Sequence, residues 1–133
     1  MTAIIVIILI GTVLALAMSL ATATSRQTSD LYAKEQAQIL ARSAAEYALL
    51  QISGTDFSTS GCYNTETFTF NGFDINITVN YIGTNLPSGC NIAADPIATD
   101  ESNGTAIIDV TVTYAGTSTA DRLRYHRRTI QKP

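Results

Sequence analysis

Residues 1–25 contain no charged side chain, and no proline occurs before Pro87. The first absence lets that segment leave water without stranding an ion, and the second removes the commonest interruption of a long N-terminal helix. Lys and Arg are missing from residues 55–121, where the acids Asp56, Glu66, Asp74, Asp95, Asp100, Glu101, Asp109 and Asp121 stand alone. Positive charge returns only at the end, in Arg122, Arg124, Arg127, Arg128 and Lys132. Such a division suggests that the basic tail meets acidic surface, in its own domain or on a neighbour. The chain has one histidine, His126, and two cysteines, Cys62 and Cys90. They assemble no tetrahedral zinc set from one chain, and any nucleophile, base and acid set would have to route through His126. A glycine-rich phosphate loop is lacking as well. The expectation is a non-enzyme with no cofactor.

What is present begins with Ala3 to Leu20, an apolar run without a polar face. At ~1.5 Å per residue it matches a bilayer core ~30 Å thick, so it spans a membrane or packs in something equally apolar. Gly11, Ser19, Thr22, Thr24 and Ser25 interrupt the uncharged segment 1–25 with small residues that permit close helix approach. From Arg26 the helix continues amphipathically to about Ser53. Ala33, Ala37, Leu40, Ala41, Ala44, Tyr47 and Ala48 recur at spacings of three and four, while Lys34, Glu35, Gln38, Arg42 and Glu46 fall largely elsewhere. Gly54 is the expected stop. This predicts one helix over about residues 1–53, roughly 75 Å long at the α-helical rise.

After Gly54 the period changes to two. Thr67 to Phe70, Asn71-Gly72, then Phe73, Ile75, Ile77, Val79 and Tyr81 alternating with polar residues predict a hairpin with a type I′ turn. Residues 82–103 read as a loop broken by Gly83, Pro87, Gly89 and Pro96. Ala106, Ile108, Val110, Val112 and Tyr114 mark a third strand, and residues 122–131 a fourth. One apolar face of such a sheet needs a cover, and the Ala-rich half of the helix supplies it. The predicted fold is α+β, with a membrane or filament-core segment at 1–25, an amphipathic half at 26–54 and a small β domain at 55–133. Cys62 and Cys90 lie in loop contexts of that domain. An apolar leader implies export to an oxidising space, so a disulfide is expected over two buried thiols.

A chain that opens with Met-Thr and an apolar helix, continues amphipathically and ends in a four-stranded antiparallel sheet with a disulfide loop resembles the type IV pilin and type II secretion pseudopilin superfamily. The resemblance covers the whole architecture, with its sequence content in about fifty N-terminal residues. It implies a pilin-like fold and a structural subunit that polymerises through its N-terminal helix. The partners it implies are further copies of the chain, the inner membrane before assembly, and pilus or secretion machinery. The implied location is the inner membrane in a single pass, then an extracellular or periplasmic filament. In that family a short basic leader is removed and the new N-terminal residue methylated; the residue here would be Met1, since no basic region precedes the apolar run. Two positions depart from the pattern. Ile5 stands where most members have Glu, which is similar to a minor pseudopilin, and Thr22 stands near the usual proline.

On this reading Ile4, Ile5, Ile8, Gly11, Leu14 and Met18 face the filament core, and Arg122, Arg124, Arg127 and Arg128 serve electrostatics between subunits. Alternation places Arg122, Arg124, His126 and Arg128 on one strand face and Leu123, Tyr125, Arg127 and Thr129 on the other. Basic groups beside a tyrosine also suit nucleic-acid phosphates, a reading disfavoured by the pI of about 4.9. Asp95, Asp100, Glu101 and Asn103 are hard oxygen ligands suited to calcium, but their spacing is that of a solvated turn rather than an EF-hand. Asn76-Ile77-Thr78 and Asn103-Gly104-Thr105 match the N-glycosylation acceptor pattern, which acts only in a host with that machinery. The competing class is a monomeric, signal-anchored binding domain.

Overall fold

A computed structural model describes residues 2–56, 61–84, 86–93, 99, 101, 104–115 and 123–133. The elements are α1 (Thr2–Gly54), β1 (Thr65–Phe70), β2 (Phe73–Ile82), β3 (Thr105–Tyr114) and β4 (Arg124–Gln131). The architecture is α+β, one long N-terminal helix and a four-stranded antiparallel sheet in the order β1-β2-β3-β4, as expected. The chain divides into two compact units, Met1–Lys34 and Glu35–Pro133. The division falls within the segment that charge patterning assigns to the amphipathic half.

The first unit is helical, and its side chains from Ala3 to Leu20 are all exposed. Its hydroxyls turn inward on their own helix. Thr12 Oγ1 donates to the Leu9 carbonyl (2.9 Å), Thr22 Oγ1 to Ser19 (2.9 Å) and Thr24 Oγ1 to Leu20 (2.7 Å). Thr28 Oγ1 donates to the Thr24 carbonyl at 3.0 Å. Such back-bonding is the usual way a β-branched hydroxyl is satisfied in a helix, and it leaves little polar demand on the outside.

The second unit is built on an up-and-down meander. Asn71 at φ 50° and Gly72 at φ 80° form the two-residue turn between β1 and β2, with Phe70 and Phe73 paired across it. Both φ values are positive, as a type I′ turn requires. β2 extends through Ile82, one residue into the segment expected as loop, because Ile82 still pairs with Thr105. β4 starts at Arg124; Arg122, expected in that strand, lies outside the described residues. On the inner face Phe73, Ile75, Ile77, Val79 and Tyr81 of β2 and Ala106, Ile108, Val110 and Val112 of β3 are buried.

The helix residues of this unit close over that face. Ala37, Ala41, Ala44, Ala45, Ala48 and Ile52 are buried, five alanines and one isoleucine on one side of the helix. Leu40 is half-buried. Tyr47 stands at the rim, where its ring meets Phe68 edge-on at 6.1 Å. Full burial of an Ile, Val or Phe side chain contributes ~1.5 to 3 kcal/mol, so the β2 and β3 faces dominate the stability of the unit.

Candidate functional site: an apolar helix and a basic edge strand

Within the first unit, the residues expected at a filament core lie on the open surface. Ile4, Ile5, Ile8, Leu14 and Met18 are each more than half exposed, and nothing approaches within 4 Å of a Cβ built on Gly11. Met1, the expected methylation site, lies outside the described residues. The helix is long and apolar enough to cross a membrane once, with a mean hydropathy of 2.9 over its most apolar window. Removing Ala3 to Leu20 from water at ~25 cal/mol per Å² contributes on the order of tens of kcal/mol. Within that stretch the Thr12 hydroxyl already donates to the backbone, which lowers its cost of leaving water.

The basic residues of the second unit do not converge. Strand alternation places Arg124, His126 and Arg128 exposed on the outer face of β4, while Arg127 lies half-buried with Tyr125 and Thr129 on the other. Register brings Arg128 opposite Asp109 of β3. Arg128 Nε and Nη2 donate to the two carboxylate oxygens at 2.7 and 3.0 Å, a two-pronged bond, and His126 Nε2 lies 3.3 Å from Oδ1. The Arg128 bond holds the Asp109 carboxyl below the ordinary carboxylate range, and Asp109 in turn raises the Arg128 guanidinium. Arg128 is thus compensated within its own chain. Lys132 Nζ donates to the Glu101 carbonyl at 3.2 Å. Arg127 Nε and Thr129 Oγ1 are buried with no hydrogen-bond partner among the described residues.

The Cys62–Cys90 disulfide is present, with Cα atoms 5.1 Å apart. Beside it is a brace that sequence reading missed. Asn64 Nδ2 donates to the Gly89 carbonyl (2.7 Å), the Asn91 N–H donates back to Asn64 Oδ1 (3.0 Å), and the buried Tyr81 hydroxyl donates to the Tyr63 carbonyl (2.7 Å). An Asn next to a Thr in loop sequence carries no signal of this, because its partners lie 25 and 27 residues away. Glu66 joins two aromatic hydroxyls, Tyr63 OH donating to Oε2 at 2.5 Å and Tyr47 OH to Oε1 at 3.4 Å. Burial, then the bond to Glu66, pushes the Tyr63 hydroxyl well above its ordinary value. Burial likewise raises Tyr81.

Of the calcium candidates, Asp95, Asp100 and Asn103 lie outside the described residues. Among the described residues no three His, Cys, Asp or Glu side chains come together as a metal site. No protein-family model, no curated protein and no solved structure matches this chain.

Proposed function

We infer that this chain is a structural subunit of a type IV pilus or related filament, stored in a membrane and polymerised through its N-terminal helix. The observation that carries this reading is a helix apolar on every side from Ala3 to Leu20, with Thr12, Thr22 and Thr24 satisfied internally, continuing in sequence into an alanine stripe that covers a sheet. Lipid and a bundle of like helices are similar in polarity, so one surface serves both environments. Repetition of a contact that does not close on itself then gives a helical fibre. Ile5 favours the pseudopilin of a type II secretion system, or a divergent pilin, over a major pilin that uses a glutamate there. Arg124, exposed and not compensated as Arg128 is, is the basic residue best placed to meet acidic groups of a neighbour. The disulfide supports export of the second unit to an oxidising space.

Shearing of cell surfaces tests the reading. Fibres of uniform width containing this polypeptide are expected. Recovery of the chain solely as a detergent-soluble monomer would instead support a signal-anchored binding domain and overturn the filament.

A further inference from the structure

The outer face of the sheet carries short polar side chains on three adjacent strands. Thr65, Thr67 and Thr69 of β1, Asp74, Asn76 and Thr78 of β2, and Thr111 and Thr113 of β3 share it by strand alternation. Asp74 and Asn76 are exposed. We propose that Asn76 is an N-glycosylation acceptor, modified by the class of oligosaccharyltransferase that reads an acidic residue two positions before the asparagine and a hydroxyl two positions after it.

Two observations carry this. The first is the five-residue order Asp74-Ile75-Asn76-Ile77-Thr78, in which acid, acceptor amide and hydroxyl fall on one side of an extended strand. The same order, acid, any residue, Asn, any residue, Thr, recurs in sequence from Glu101 to Thr105. The Thr78 hydroxyl donates to Asn76 Oδ1 at 3.3 Å, and no hydrogen bond engages Asn76 Nδ2 among the described residues. The second observation is the ground around the acceptor. Asn76 is flanked by Thr67 on β1 and Thr111 on β3, directly across in register. With Thr69, Asp74 and Thr113 they line a hollow of about 250 Å³. Short side chains leave room above the strand, and their hydroxyls are the partners that sugar hydroxyls use.

The chemistry is a glycosyl transfer. Asn76 Nδ2 attacks the anomeric carbon of a lipid-diphosphate-linked oligosaccharide. The new C–N bond replaces the C–O bond to the diphosphate, one amide proton is lost, and the lipid diphosphate leaves. β2 is a central strand whose backbone is committed to β1 and β3, so a transferase that must bend the acceptor segment acts on the chain before the sheet closes. The folded sheet then presents the glycan outward.

The full chain, produced in cells that carry a single-subunit oligosaccharyltransferase and its lipid-linked oligosaccharide, provides the test. A known acceptor protein serves as control. The chymotryptic peptide Asp74–Tyr81 contains this one acceptor, and its mass reports the modification. We expect it to rise by the mass of the oligosaccharide, with occupancy falling at least tenfold in Asn76→Gln, Thr78→Val and Asp74→Asn but persisting in Thr78→Ser. Each substitution lies on the outer face, and an intact disulfide, two mass units below the reduced chain, shows that a variant was exported and folded. An unmodified peptide from disulfide-bonded chain beside a modified control overturns the proposal, as does occupancy indifferent to Thr78 and Asp74.

Discussion

Replacing both Cys62 and Cys90 by serine removes a constraint that acts chiefly on the unfolded chain. The bridge joins residues 28 apart, and the loop-closure relation converts that separation to about 3.6 kcal/mol at room temperature. The native state keeps most of its local order in the variant, because the Asn64 side chain still bonds Gly89 and Asn91, and the Tyr81 N–H still bonds the Asn91 carbonyl at 2.7 Å. The loss is therefore entropic and close to the full figure. Urea unfolding of the full chain in mild detergent, followed by tyrosine emission, reads it out: the chain has no tryptophan, and Tyr81 is buried in the sheet core. With a slope of ~1 to 1.5 kcal/mol per M, the midpoint falls by about 2.5 to 3.5 M. Reducing the wild-type bridge gives the same drop. A fall below about 0.5 M at unchanged slope would refute the loop-closure reasoning and place the stability of the unit in the Asn64 brace and the core.

Ala41, on the buried side of the helix, is fully buried, so Ala41→Leu overpacks the interface and costs ~1 to 3 kcal/mol; an unchanged urea midpoint would mean that the stripe does not seat closely. Tyr81→Phe keeps the ring but leaves the Tyr63 carbonyl without its donor, lowering stability by ~0.5 to 1.5 kcal/mol in the same assay. Asp109 has a depressed folded pKa owing first to the Arg128 bond, so its contribution is complete above about pH 4 and is lost as pH falls through the folded value. Asp109→Asn should consequently flatten the decline in urea midpoint between pH 5 and pH 2, and a decline as steep as wild type contradicts the assignment. Ile5→Lys places a charge on the apolar segment at a cost of up to ~3 kcal/mol in lipid, reduced by snorkelling near the helix end and greater in a dry helix bundle. The variant should remain in the membrane fraction while fibres vanish; fibres at wild-type level would show that Ile5 lies outside the polymer core.

The hairpin was legible because Asn71-Gly72 tolerates two successive positive φ values and the flanking residues alternate without a break. The alanine stripe was legible from its spacing, although periodicity alone placed Tyr47 in it. Ala44 and Ala48 are buried, whereas the Tyr47 ring lies at the rim against Phe68. Ala45 and Ile52 belong to the same three-and-four repeat, Ala45 four residues after Ala41 and Ile52 four after Ala48, and both are buried. Alternation separated Arg127 from Arg128, yet it could not reveal which acid Arg128 meets. That depends on the β3–β4 register, which is set by turns and packing rather than by either strand. The outer threonine face was likewise invisible as a surface, because its residues come from three strands.

β4 is an edge strand, and one side of its backbone has no partner strand among the described residues. Unpaired N–H and C=O groups of this kind are a template on which a second sheet can grow, and its inner face is only half-covered. Antiparallel pairing of β4 with its own copy, centred on Arg127, would set Arg127 opposite the same residue of the other chain. Like charges opposed across a strand pair destabilise it. Arg127 therefore acts as insulation along an open seam. A second copy approaching this edge would be steered away from fusing with it into one continuous sheet.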